Sequence, residues 1–318
     1  MWWFVACAPK APPPASPAPV DGLVGELAVE GPIARRLSGA AADLVVLYAG
    51  EHKGSMETCG CPKNPRGSLA RLDAYADAVR AGAPAVLVHG GYWLEDAVGF
   101  EGELRADVAV ANRWMARGLA EGGWDALNVA PNDLAALASL PLDATATLPL
   151  VSASVSGPGV SPYVVVERGG RRVGITGIAG AAPTLGDTSR WSARDPGPVL
   201  DELAGKADVV VLLAYKATDA ARALAKRHDV DVVVDTDAHR EFLDPVLQGR
   251  TAWVFSHYQT MRAGELRLRL DGDGVVGGVD RKVDLDPEMP DDPALARMTR
   301  EARAEIDREQ RRIYGGGG

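Results

Sequence analysis

The stretch Asp43-Leu-Val-Val-Leu-Tyr-Ala-Gly-Glu-His-Lys-Gly-Ser-Met-Glu-Thr-Cys-Gly-Cys-Pro62 decides how the chain is read. It joins an apolar run to a glycine-punctuated loop crowded with ligand-type side chains. The run from Leu44 to Tyr48 is apolar at every position, the pattern of a strand buried on both faces. Glu51, His52, Cys59 and Cys61 follow in close succession. An α/β protein gathers its chemistry on such loops, at the carboxyl ends of parallel strands. The Cys-x-Cys spacing marks a site and leaves three chemistries open. These are a strained local disulfide between Cys59 and Cys61, thiolate ligation of a soft or borderline metal such as Zn, and thiol–disulfide exchange.

Further apolar runs at Ala85-Val-Leu-Val-His89, Ala126-Leu-Asn-Val-Ala130, Val164-Val-Val166, Val173-Gly-Ile-Thr-Gly-Ile178, Val209-Val-Val-Leu-Leu213 and Val230-Asp-Val-Val-Val234 read as strands. Between many of them lie helical patterns over residues 68–81, 108–121, 198–204 and 219–227. The alternation predicts a largely parallel sheet system with helices outside. Thr251-Ala-Trp-Val-Phe255, Gly264-Glu-Leu-Arg-Leu-Arg-Leu270 and residues 274–283 predict a closing antiparallel β-meander. Residues 286–318 are set apart as a tail. Its charged part, 291–312, is poor in large apolar residues and predicts a protruding helix before a glycine-rich terminus.

The 318 residues, 47% of them hydrophobic, suffice for one large α/β core. A formal charge of -9, with Arg mixed among Asp and Glu, excludes a nucleic-acid partner and an anionic membrane face. Phe4-Val-Ala-Cys7 has the form of a weak bacterial lipobox, and a Pro/Ala-rich segment follows it. Residues 1–20 are therefore read as a truncated signal and linker, the alternative being a disordered cytoplasmic N-terminus with a chance cysteine. Lipidation of Cys7 would place the protein in the bacterial cell envelope or periplasm, with the membrane touched only through that anchor. Cys59 and Cys61 would then be the remaining thiols. There is no Cys-x-x-Cys-His, hence no haem attachment motif.

Several framework segments carry a family likeness. Gly67-Ser-Leu-Ala-Arg-Leu72, Trp124-Asp-Ala-Leu-Asn-Val129, Leu148-Pro-Leu-Val-Ser-Ala-Ser-Val155, Val173-Gly-Ile-Thr-Gly-Ile178 and Val230-Asp-Val-Val-Val234 occur in this order. Together they resemble the calcineurin-like metallophosphoesterase domain of bacterial 5'-nucleotidases, over residues 40–285. The resemblance implies a four-layer metallophosphatase-like α/β/β/α sandwich, here with a C-terminal helical tail, and a dinuclear centre of divalent metal such as Zn, Mn or Fe. Position by position the implied ligands have changed. Glu51-His52-Lys53 stands where the family has Asp-x-His, so an ammonium takes an imidazole position. Gly90-Gly91 replaces Gly-Asp with its bridging carboxylate, and Pro131-Asn132 replaces Asn-His. Tyr215 replaces a histidine, and Thr236-Asp237-Ala238-His239 replaces Gly-His-x-His. Glu57 to Arg71, with Cys59-Gly60-Cys61-Pro62 and Asn64-Pro65, resembles a narrower group of exported nucleotidase-like proteins, some continuing into multihaem cytochromes. That implies an envelope or cytochrome-type protein partner near the C-terminal helix.

Two-metal hydrolysis needs a bridging carboxylate and several imidazoles, and most are missing. The expectation is a non-hydrolytic metal-binding or redox-accessory module centred on the Cys-x-Cys loop. The alternatives are an active metal-dependent phosphoesterase with atypical ligands and a partner-binding scaffold. Candidate metal ligands are Glu51, His52, Cys59, Cys61, His89, Asn132, Asp237 and His239, with His257 as an outlying candidate. Each has a structural alternative. His89 can bond backbone near Gly90, Asp237 can cap a turn, Asn132 and Asp133 can cap a helix, and Tyr92 and Trp93 can wall the cleft or fill the core.

Overall fold

The computed structural model describes residues 23–27, 42–97, 104–141, 145–180, 189–272 and 274–315. Cys7 and the rest of residues 1–20 lie outside the described residues, as do residues 316–318. Strand β2 (Leu44–Ala49) is buried at all six positions. Its side chains alternate between two cores, as the period of a strand requires. Leu44, Val46 and Tyr48 enter a layer between two sheets, while Val45, Leu47 and Ala49 face helices.

The first sheet runs β1 (Leu23–Leu27), β15 (Gly274–Asp284), β14 (Arg262–Asp271), β2, β3 (Ala85–His89), β4 (Ala126–Asn128) and β5 (Leu150–Val151). The second runs β12 (Val246–Gln248), β13 (Thr251–Phe255), β11 (Val232–Thr236), β10 (Val209–Tyr215), β8 (Arg171–Ile178) and β7 (Val164–Arg168). β6 (Val155–Ser156) and β9 (Ser192–Ala193) form a small separate pair. Helices α1 (Leu69–Gly82), α2 (Ala106–Glu121), α3 (Pro131–Leu137) and α6 (Pro293–Tyr314) cover the first sheet. α4 (Pro196–Ala204) and α5 (Asp219–Arg227) cover the second. The result is the expected four-layer α/β/β/α sandwich. β2, β3, β4 and β5 are parallel, as are β8, β10, β11 and β13, so their carboxyl ends open onto shared edges.

Two expectations are corrected. The closing meander does not form as a unit: β14 and β15 pair antiparallel in the first sheet, whereas β13 pairs parallel with β11 in the second. β13 is buried throughout, with Ala252 and Val254 in the inter-sheet core and Trp253 against the outer helices, so it needs the two-sided cover of a central strand. The C-terminal helix does not protrude either. Leu295 and Ala302 of α6 are buried against the first-sheet helices with Met298 beside them, and Glu305 accepts from Trp114 Nε1 at 2.7 Å and Arg113 at 2.5 Å. Three small or apolar positions on one helical face suffice to seat a polar helix. Leu295→Ala should therefore lower stability by about 2–5 kcal/mol, the cost of a buried leucine truncation. An effect within about 0.5 kcal/mol in urea unfolding would mark a freely exposed helix instead. Among the described residues no helix is long and apolar enough to cross a membrane.

Candidate functional site

The loops after β2 and β3 are zipped together by backbone bonds: Glu51 N–H to Gly91 O (3.1 Å), Lys53 N–H to Tyr92 O (3.1 Å) and Gly54 N–H to Trp93 O (2.9 Å). Glu51, Lys53 and Tyr92 take left-handed backbone conformations (φ 52°, 52° and 59°), and Lys216 after β10 and Gln259 after β13 do the same. Each such residue costs on the order of 1–3 kcal/mol and persists only where its surroundings hold it. Their gathering at strand carboxyl ends marks this edge as the site.

Asp133 anchors the edge from below. Its carboxylate accepts from Tyr92 N–H (2.8 Å), Leu94 N–H (2.9 Å) and Ala130 N–H (2.9 Å). Burial pushes its carboxyl up to about 7 against the pull of those donors. Asp133 therefore orders the loop after β3 as well as starting α3. Asn132 turns away from a capping role and donates to Asp96 at 2.5 Å; the other Asp96 oxygen accepts from the Tyr92 hydroxyl at 2.8 Å.

His52 and His89 come together, but on the helix side of the sheet. His89 shares a face with Ala85 and Leu87, and His52 packs on it with ring centroids 5.0 Å apart and Trp124 alongside. Gly91 N–H donates to His89 Nδ1 at 3.1 Å, so His89 carries its proton on Nε2 and donates to His52 Nδ1 at 2.8 Å. His52 in turn holds its proton on Nε2, which has no partner. Burial pushes His52 down to about 3 and His89 well below the usual imidazole range, with His52 adding to the shift of His89. Both rings are neutral, and three of their four nitrogens are engaged in this chain.

Glu51 faces the opposite way, into the cleft between the sheets. One oxygen accepts from Ala238 N–H at 3.2 Å and the other lies 3.3 Å from Lys53 Nζ. The Lys53 ammonium sits 4.8 Å from the Tyr92 ring centroid and 4.5 Å from that of Tyr258, within cation–π range of both. Tyr92 meets Tyr215 edge-on at 6.1 Å. Of the two readings open for these aromatics, Tyr92 takes the wall over the cleft, while Trp93 is fully buried core. Burial, then the charges of Glu51, Asp133, Asp96 and Asp237, push the Tyr215 hydroxyl up, which shows the acidic field of the cleft.

Asp237 takes the turn-capping role, accepting His239 N–H at 3.0 Å, and the His239 side chain belongs to an exposed residue. Arg240 bonds Asp235 at 2.8 Å and Ala217 O at 3.1 Å beneath it. His257 is held in an ionic chain: Arg262 lies 3.2 Å from its Nε2, so its proton is on Nδ1, facing Glu241 at 3.2 Å. Arg262 continues to Asp284 (2.5 Å), and Asp284 to Arg66 (3.3 Å).

Arg66 closes the hairpin that carries the cysteines. Thr58 bridges Gly67, Cys59 N–H donates to Arg66 O at 2.8 Å, and Arg71 braces the hairpin through Pro65 O at 2.7 Å. Cys59 is half-buried, Cys61 is exposed, and both are free thiols. Burial pushes the Cys59 thiol up. Hydrogen bonds from the Cys61 N–H and thiol, with the N–H and guanidinium of Arg66, outweigh it and hold Cys59 below the ordinary range. Cys61 moves up, first through its hydrogen bond to Cys59 and then through the Cys59 charge.

The expected metal ligands are thus dispersed over separate environments. Among the described residues no three His, Cys, Asp or Glu side chains converge as a metal would require. His52 and His89 bond each other behind the sheet, the Cys59–Cys61 pair stands on its own hairpin, and Asn132, Asp237 and His239 are engaged locally or exposed. The bridging position is held by Gly91, which has no side chain to offer; with φ 118° and Ala130 Cβ 3.0 Å from where its Cβ would lie, a side chain there would be strained. At Gly90 a Cβ would lie only 1.8 Å from Thr236 Oγ1 of the facing sheet. The residues present do not fit a dinuclear centre. Sequence reasoning missed Lys53 and Tyr258 as partners; the signal was a lysine at a ligand position, read only as a defect.

No protein-family model matches the chain, and no curated protein matches it. Solved structures do. The sulfate thiohydrolase SoxB of Thermus thermophilus superposes with a TM-score of 0.68 at 14% identity, covering 85% of this chain and 62% of that one. A 5'-nucleotidase precursor, also from Thermus thermophilus, gives 0.65 at 19% identity, with 83% and 59% covered, and the NAD nucleotidase NadN of Haemophilus influenzae gives 0.65 at 13%, with 83% and 60%. The chain spans about three-fifths of the length of these structures. At such identities the likeness is one of fold, and it agrees with the layers, the parallel strand ends and the framework segments above. The chain has the metallophosphoesterase-like fold of the 5'-nucleotidases.

Proposed function

We propose that this protein is a non-hydrolytic redox-accessory module of the bacterial envelope, built on a metallophosphoesterase-like scaffold and working through Cys59 and Cys61. The observation supporting this reading is that Cys59 and Cys61 stand as two free, accessible thiols one residue apart on a hairpin braced by Arg66 and Arg71, with the Cys59 sulfur 3.8 Å from Asn64 O. The thiolate is the nucleophilic form of cysteine, and the hydrogen bonds and guanidinium that hold Cys59 below the ordinary range favour it over Cys61. Cys59 S⁻ attacks a protein disulfide, forming a mixed disulfide and expelling one partner thiolate. Cys61, once deprotonated, attacks the Cys59 sulfur, closing the Cys59–Cys61 bond and releasing the second. Two electrons pass to the partner, and the thiol protons end on its two sulfurs.

With oxidised glutathione as probe, Cys61→Ser should trap glutathione on Cys59, while the wild type should close its internal disulfide. Cys59→Ser should react at least about tenfold more slowly at neutral pH. Equal reactivity of the two thiols would contradict the assignment. Cleavage of a phosphate ester, lost in His239→Ala or Asp237→Ala, would restore the hydrolase reading.

The partner proposed is an envelope protein of cytochrome type, docking on α6. Arg297, Arg300, Arg308 and Arg311 lie along its exposed face with Glu301 among them, Arg297 pairing with Glu301, and the excess of arginine fits an acidic surface. Binding to an acidic c-type cytochrome should weaken with salt and in R300E/R308E. Binding indifferent to charge reversal would remove α6 from the interface.

A further inference from the structure

The cleft keeps the acidic surroundings of a cation site while lacking the bridging carboxylate and most imidazoles of a dinuclear one. Glu51, with 3% of its surface exposed, directs one oxygen at Lys53, and Asp96 and Asp237 lie close enough to the same cleft to act on Tyr215. A buried carboxylate without a countercharge is costly, so a cation has to be supplied. Lys53 supplies it with geometry. Its ammonium lies 3.3 Å from Glu51 and between the faces of Tyr92 and Tyr258, at 4.8 and 4.5 Å. The backbone is bent to allow this: Glu51, Lys53 and Tyr92 are all left-handed, and Lys53 N–H is tied to Tyr92 O, so the residue carrying the charge and the ring receiving it are fixed to each other.

We infer that the Lys53 ammonium is the resident cation of this cleft: it takes the place that the family resemblance gives to metal ions and keeps divalent cations out. Lysine cannot polarise a phosphate and activate water as a metal pair does, but it can neutralise Glu51 and hold the two sheet edges together through Tyr92 and Tyr258. The family's imidazole position is thereby converted from ligand to ligand substitute.

The test uses full-length protein and Mn²⁺ alone, with thermal unfolding and metal content as readouts. The wild type should be unmoved by Mn²⁺. Lys53→Met, of similar length and uncharged, should unfold at a lower temperature and be raised by several degrees in Mn²⁺, with bound metal in proportion. Lys53→Arg, which retains the cation, should remain insensitive. Should Lys53→Met fail to fold, Glu51→Gln/Lys53→Met removes both charges and should recover folding without gaining Mn²⁺ binding. A Lys53→Met protein as stable as wild type and blind to Mn²⁺ would overturn the inference, as would a Mn²⁺-induced shift in the wild type. No phosphoester turnover or thiol reaction is read, so failure here is distinct from failure of the redox reading.

Discussion

Asp133→Ala is expected to destabilise the protein by about 3–5 kcal/mol, because three buried backbone N–H groups lose their acceptor at once and each unpaired donor costs about 1–3 kcal/mol. The donors belong to Tyr92, Leu94 and Ala130, so the loss falls on the loop after β3 and on the entry to α3 together. Asp133→Asn keeps an acceptor oxygen and should lose less. The two variants also differ from wild type in pH dependence. Burial raises the folded carboxyl to about 7, above its unfolded value, so the protonated form favours folding at low pH. That contribution is complete below about pH 4 and is lost as pH rises through 7. Urea unfolding at about pH 6 and about pH 8.5 should therefore show the Asp133→Asn penalty shrinking at the higher pH. An alanine variant within about 1 kcal/mol of wild type would show that water replaces the carboxylate.

Acid should act on the imidazole pair in the opposite sense. His52 and His89 have folded values below the unfolded one, so each contributes fully above about pH 6.5 and loses that contribution as pH falls. With His52 at about 3, two pH units below 6.5 cost about 2.7 kcal/mol for this residue, and His89, also pushed down by burial, acts in the same direction. Asp133 offsets one of the two over the same window. Its removal in Asp133→Asn should thus steepen the loss of stability on acidification. A His52→Gln/His89→Gln protein should lose that slope, and the difference from wild type isolates the pair from other buried carboxylates such as Asp231 and Asp235, whose carboxyls are also raised. Equal slopes for wild type and the double glutamine variant would mean that the imidazoles already titrate normally.

Much of the sandwich was legible in the chain because buried strands announce themselves. The runs at Leu44, Ala85, Val173 and Val209 all became central strands, and residues 219–227 became α5. β13 was misplaced since an apolar five-residue run looks the same beside an antiparallel hairpin as beside a parallel neighbour; only its two-sided burial separates them. The docking of α6 was hidden by composition, its seat being Leu295, Met298 and Ala302 among arginines and glutamates. For the site, the edge was readable and the grouping was not. Glu51 and His52 are neighbours in sequence, but successive residues leaving a strand point to opposite faces, so one enters the cleft and the other joins His89 behind the sheet. Nor does a sequence display left-handed backbone at Glu51, Lys53 and Tyr92, which is what aims the Lys53 ammonium at two aromatic rings.

The most direct measurement is metal content per chain, by elemental mass spectrometry on protein prepared without chelators or nickel affinity, paired with a phosphate-ester turnover assay. The expected result is no stoichiometric Mn or Fe and no turnover, with Cys59 and Cys61 recovered as thiols or as their mutual disulfide. About two equivalents of Mn, Fe or Zn together with turnover would contradict it, since that is the loading of a working dinuclear phosphoesterase.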